Sequence, residues 1–174
     1  MPPLLISDCR KRNRIPNYDY SINNYYFVTI NTELNQAGKI VNKCLINISK
    51  TAKFCELDYY VIMPNHLHAI FIINDIVGDD LPVVPMGQTG RFVPTKRKSI
   101  PEIIKNLKTF SSRLIHEKFP TSNFQWQRSF YDHVIRNEFA LDRIREYIVN
   151  NPIKWEDDKY NLFSKIPLVK RGKW

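Results

Sequence analysis

The chain has 174 residues, 43% of them hydrophobic and 25% charged, the mix of a folded globular protein rather than a disordered or fibrous one. Twenty-six Lys and Arg against seventeen Asp and Glu leave a net charge of +9, which selects a polyanionic partner, either nucleic acid or an acidic membrane surface. An aromatic content of 13% favours nucleic acid, because unpaired bases stack on aromatic rings, and the longest apolar run, Ala69 to Ile73, is far short of the ~18 residues of a membrane span.

Residues 1–24 read as an arm, basic at Arg10, Lys11, Arg12 and Arg14. Its apolar stretch, Leu4 to Ile6, precedes the cations, the reverse of a secretory signal. Tyr25 to Asn31 is β-branched and aromatic, the composition of a strand. Cys44 to Glu56 spaces Leu45, Ile48, Ala52 and Cys55 as one helical stripe. On such a helix Cys44 and Cys55 stand about 16 Å apart at ~1.5 Å rise per residue, too far to bridge. With Cys9 they are expected to be reduced thiols of a cytoplasmic protein.

Leu57 to Met63 alternates as a strand, Pro64-Asn65 turns, and His66 to Ile73 returns as the second arm of a hairpin. The returning strand is apolar on both faces after its histidines, which places it centrally in a covered sheet. Residues 74–98 have no period and read as an inserted loop. Ser99-Ile-Pro-Glu102 is a capping box opening a helix to about Lys118, with Ile100, Ile103, Leu107, Phe110 and Leu114 as its apolar stripe. Gln125 to Arg136 is extended in character. Asn137 caps a last helix with Leu141, Ile144 and Ile148 buried, and Pro152 is expected to stop it near Asn151. Residues 153–174 form a basic tail. The order β-α-β-β-α-β-α predicts a single domain over 1–174. Its fold class is α+β, a ferredoxin-like antiparallel sheet with helices packed on one side and a C-terminal helix.

Three features carry chemistry. His66 and His68 lie at i and i+2 of a strand, so both imidazoles project from one face and together suit one divalent cation. The plain alternative is a pair of structural histidines at a turn. Arg143, Tyr147 and Asn151 recur every four residues on the last helix, forming one ridge that presents a phenol and a carboxamide together. Here the alternative is a half-buried tyrosine and a helix C-cap at Asn151. Lys105, Lys108, Thr109, Ser112, Arg113 and His116 lie along one face of the middle helix, a stripe suited either to phosphates or simply to solvent. His133 reads as structural, and Tyr131 beside it is a second phenol.

Met63-Pro-Asn-His-Leu-His68 at the end of a hairpin resembles the His–hydrophobe–His motif of the single-tyrosine HUH transposases. Trp126-Gln-Arg-Ser-Phe-Tyr-Asp-His133 and Tyr147-Ile-Val-Asn-Asn-Pro152 resemble later blocks of that family, and the REP-associated tyrosine transposases are the nearest subgroup. The resemblance runs from about Tyr25 to Pro152, apart from the 74–98 insertion. It implies a metal-dependent nuclease and strand transferase that cuts single-stranded, hairpin-forming DNA. His66, His68 and Asn151 would hold the ion, and Tyr147 would form a 5′-phosphotyrosine. Two imidazoles suit Mn²⁺ better than Mg²⁺, although Mg²⁺ is the expected cellular ion. Expected phosphate contacts are Arg10, Lys11, Arg12, Arg14, Lys105, Lys108, Ser112, Arg113 and Arg143. Insertion-sequence relatives pair as homodimers and REP-associated ones can be monomers; a homodimer is the expectation, and no membrane partner is expected. The other readings are a domesticated protein that binds DNA hairpins without cutting them and, more remotely, a sheet-based RNA-binding module.

Overall fold

The computed structural model describes residues 14–34, 36–52, 54–74 and 98–155. Arg10, Lys11, Arg12, Cys9, most of the 74–98 insertion and the tail beyond Trp155 lie outside the described residues. The elements in chain order are β1 (Asn24–Asn31), α1 (Gly38–Thr51), β2 (Cys55–Met63), β3 (His66–Ile73), α2 (Ile100–Lys118), β4 (Tyr131–Ile135) and α3 (Glu138–Lys154). The strands form one antiparallel sheet in the order β2-β3-β1-β4, the ferredoxin-like arrangement. β3 is central, as its two apolar faces require.

Alternation along the strands divides the core. Tyr26, Val28 and Ile30 of β1 and Leu67, Ala69, Phe71 and Ile73 of β3 face α1 and α2, where Leu45, Ile104 and Leu107 meet them. Ile70 of β3 and Ile135 of β4 face the opposite way, against Leu141 and Ile148 of α3. The helices therefore cover both faces, not one as the element order suggested. A strand apolar on both sides needs cover on both sides.

Several boundaries differ from expectation. α1 starts at Gly38, not Cys44, and no side-chain cap marks its start. It ends at Thr51, so Cys55 opens β2 rather than closing a helix, and the helical ruler between the cysteines does not apply; both Cys44 and Cys55 are free. β2 departs from strict alternation at a register shift between Leu57 and Tyr60, a β-bulge that turns both side chains toward the α1/α2 core. The capping box of α2 is present: Ser99 N–H donates to the Glu102 carboxylate at 2.8 Å. Its buried face is rotated, however, to Ile100, Ile103, Ile104, Leu107, Ser111 and Ile115, leaving Phe110 52% exposed. Ser111 fits that core because its hydroxyl donates to Leu107 O at 2.6 Å and accepts from Trp126 Nε1–H at 3.0 Å.

The 125–136 stretch is a strand only over Tyr131–Ile135. Asn137 caps α3 as expected, accepting from Ala140 N–H at 2.8 Å. Pro152 does not stop α3, which runs through it to Lys154 with Trp155 as its C-cap. Near a helix end the ring removes one rung of the ladder and the remaining turn persists. Asn151 is thus an intrahelical residue rather than the cap.

Candidate active site

The register of the sheet places Thr29 opposite His68 and Asn31 opposite His66, across β1 and β3. Both imidazoles project from the α3 face, and their ring centroids are 4.5 Å apart. The pair is enclosed rather than open to solvent: His68 is only 6% exposed and His66 is buried as well. α3 and the aromatic ring of Phe27 enclose them. Phe27 stacks on His68 with centroids 5.3 Å apart, and Tyr147 meets Phe27 edge-on.

Both ring nitrogens of His68 are held. Nδ1 lies 2.8 Å from Thr29 Oγ1, and Nε2 lies 3.2 Å from the Tyr147 phenol oxygen. A phenol is a stronger acid than an alcohol, so Tyr147 donates to Nε2 and Nδ1–H donates to Thr29. Burial, reinforced by the neighbouring His66, pushes the His68 pKa down to about 3. The ring is neutral at ordinary pH, the form that offers a lone pair. His66 Nδ1–H donates to the Asn65 carboxamide oxygen.

α3 carries the rest of the site. Tyr147 is 44% exposed, so its phenol reaches His68 and solvent at once. Eight residues on, Trp155 stands 6.3 Å from His66, ring to ring. Tyr147 thus marks His68 and Trp155 marks His66 along one ridge, and Asn151 occupies the turn between them. The helix is pinned beside Tyr147: Arg145 Nε donates to Asp58 Oδ2 at 2.8 Å, with its guanidinium over the Tyr59 ring. Asp58 and Tyr59 are presented by the β2 bulge.

Among the described residues no group of three or more His, Cys, Asp or Glu is gathered for a metal. An ion here would rely on the two imidazoles, the Asn151 carboxamide oxygen, water and substrate. The donor set fits such an ion: two adjacent imidazoles, the neutral His68 oriented through its far nitrogen by Thr29, as ligating histidines usually are.

The remaining candidates are dispersed. Tyr131 is on the same sheet face, across Thr29 from His68, and 55% exposed; His133 is exposed two residues on. Arg14 pairs with buried Asp132 at 3.4 Å and lies over the Phe130 ring. Lys108 Nζ donates to Gln127 O and Ser129 O at 2.8 and 2.9 Å, and burial lowers its pKa to about 8. His116 Nε2 lies 3.1 Å from Phe124 O. Part of the polar face of α2 therefore holds the 124–130 segment, while Lys105 and Arg113 stay exposed, Ser112 is half-buried and Arg143 is exposed on α3. Sequence reasoning missed Phe27, Thr29, Asn65 and Trp155. The four-residue spacing from Tyr147 through Asn151 to Trp155 was a usable signal, obscured by Pro152.

The fold and this grouping define a ferredoxin-like α+β protein with two adjacent imidazoles and a half-exposed phenol on one sheet face. A model of the family described as "Transposase IS200 like" matches residues 92–151, a span that includes Tyr147 and Asn151 but not the histidines. An uncharacterized protein of Haemophilus influenzae is 34% identical over 171 residues, covering 86% of this chain and 92% of that one. A REP-associated tyrosine transposase, solved bound to a REP hairpin, shares the fold with a TM-score of 0.55 at 17% identity, over 90% of this chain and 89% of that one. Over residues 92–151 the chain carries an IS200-like transposase domain. Among the described residues no helix is long and apolar enough to cross a membrane.

Proposed function

We propose that this transposase-family protein is a metal-dependent nuclease and strand transferase for single-stranded, hairpin-forming DNA, with Tyr147 as its nucleophile. The observation that carries the reading is the contact between the half-exposed Tyr147 phenol and His68 Nε2, beside a second imidazole. His66, His68 and Asn151 hold the ion, with Mn²⁺ bound more tightly than Mg²⁺. When bound, it polarises the scissile phosphate and neutralises developing charge.

The Tyr147 oxygen attacks phosphorus, the Tyr O–P bond forms and the P–O3′ bond breaks. The phenolic proton passes to solvent and the departing 3′ oxygen takes one up, leaving a 5′-phosphotyrosine and a 3′-OH. Reversal by another 3′-OH rejoins strands without ATP. Arg145 is a positioning residue, fixing the helical turn that bears Tyr147. Lys105, Arg113, Arg143 and the basic arm supply phosphate contacts. The hairpin-bound relative supports a hairpin partner.

The test is a labelled DNA hairpin incubated with protein and Mn²⁺ and run on a denaturing gel. Wild type is expected to give a slow covalent band. Tyr147→Phe should give none while binding the hairpin within a few-fold of wild type. An adduct that survives Tyr147→Phe and is lost in Tyr131→Phe would transfer the role to Tyr131. A shifted but uncut hairpin with wild type would leave a binding protein.

A further inference from the structure

Phe130, just before β4, and Val134 within it enter the α1/α2 core, and Asp132 between them is buried opposite Val28. A carboxylate at such a position is costly unless a cation meets it. The cation is Arg14. Its Nη1 lies 3.4 Å from Asp132 Oδ1, the Asp132 side chain is 1% exposed, and both paired atoms are closed to water. The Arg14 guanidinium also lies 4.0 Å from the Phe130 ring centre and 5.7 Å from that of Tyr20. The Tyr20 hydroxyl in turn accepts Ile15 N–H at 3.0 Å. An apolar residue at 132 would fill the core without desolvating a charge, so the pair serves position more than stability.

What the pair positions is the segment that precedes Arg14. Arg10, Lys11 and Arg12 stand two to four residues upstream, and so within about 14 Å of Arg14 at ~3.6 Å per residue. The described surface round Arg14 carries further cations. Lys108 Nζ stands 5.8 Å from the same Phe130 ring, and exposed Lys105 is one turn away along α2. Exposed Arg128 lies in the segment that Lys108 grips through Gln127 O and Ser129 O.

We infer that Arg14 and Asp132 are positioning residues for DNA: their buried pair anchors the basic arm beside Lys105 and Arg128, so that arm and helix meet the phosphates as one cationic surface. This rests on the DNA-binding role proposed above. Charge gives the inference a sign of its own. Asp132→Asn raises the net charge from +9 to +10, and Coulomb attraction alone would then tighten binding to a polyanion. Anchoring requires the opposite, because a released arm must be ordered again at each encounter.

The experiment measures binding of a labelled DNA hairpin by the full chain from low to moderate salt, with melting temperatures compared alongside. Asp132→Asn should bind about three- to tenfold more weakly at low salt, with a log–log salt slope shallower by about 2. Neutralising the arm (Arg10→Gln/Lys11→Gln/Arg12→Gln) should weaken wild type by a similar factor and cost little more in the Asp132→Asn background. Equal or tighter binding by Asp132→Asn, or arm and Asp132 effects that simply multiply, overturns the anchor. Should Asp132→Asn melt well below wild type, Arg14→Lys takes its place. It keeps the net charge but loses the planar guanidinium on Phe130, so its binding should weaken in the same direction. Unchanged affinity and slope in Arg14→Lys then overturn the anchor. Failure of wild type to bind any hairpin overturns the DNA-binding role and this inference with it.

Discussion

The two faces of β3 do different work with alternate residues of one strand. Leu67, Ala69, Phe71 and Ile73 enter the large core under α1 and α2, while His66 and His68 share the other face with Ile70 and a small apolar cluster. Beside that cluster a side-chain pin, Arg145 to Asp58, joins α3 to the edge of the sheet. Stability is concentrated on one side, which frees the other to bury polar groups at close quarters. A period of two permits this division within eight residues.

The largest expected effect breaks the stable face. Phe71 is fully buried, and Phe71→Ala should cost about 3–5 kcal/mol in denaturant unfolding. His68→Ala on the opposite face should cost less, about 1–3 kcal/mol, because Thr29 and Tyr147 lose a partner. It should also weaken Mn²⁺ binding at least about tenfold by calorimetric titration. Equal stability losses, with Mn²⁺ affinity unchanged in His68→Ala, would erase the distinction between the faces.

A subtler effect sharpens the chemistry of the second face. The Tyr147 hydrogen bond and a metal bond at His68 Nε2 use the same lone pair, so they exclude one another. Tyr147→Phe should therefore raise Mn²⁺ affinity about three- to tenfold, the worth of one neutral hydrogen bond. Unchanged affinity in the same titration would mean that the ion and the phenol do not share that nitrogen.

A pH-dependent effect returns to the first face, where Lys108 is half-buried beside Arg14 with its pKa lowered to about 8. The unfolded lysine titrates near ~10.4. Between those values the folded chain has shed a proton that the unfolded chain keeps, so stability gains with rising pH. Below about 8 both states hold the proton and the gain is absent. Thermal melts of Lys108→Met should lack this contribution, and a wild type minus variant difference that is flat from pH 8 to 10 would contradict it.

What could be read from the sequence was local. His66–Ile73, the capping box at Ser99, the His66/His68 pair and the Tyr147/Asn151 ridge each follow from spacing within one element, whereas only the family resemblance joined the pair to the ridge. What escaped depends on neighbours distant in the chain. The rotated face of α2 rests on Ser111 being satisfied by Trp126, and nothing near Leu57 marks the bulge. The side of the sheet chosen by α3 is likewise a tertiary property. Thr29 acquires its place only through the register that sets it against His68.

Pro152 has a mechanical consequence. Lacking an N–H, it leaves the Ile148 carbonyl without its helical donor, so the turn ending at Trp155 is spliced to α3 through a missing rung. Upstream, the Arg145 clasp holds Tyr147 to the sheet edge; downstream, Trp155 rests on His66 across that seam. The end-piece can tilt off His66 without carrying the phenol with it. Asn151, the last residue before the splice, belongs to the rigid shaft and moves with Tyr147.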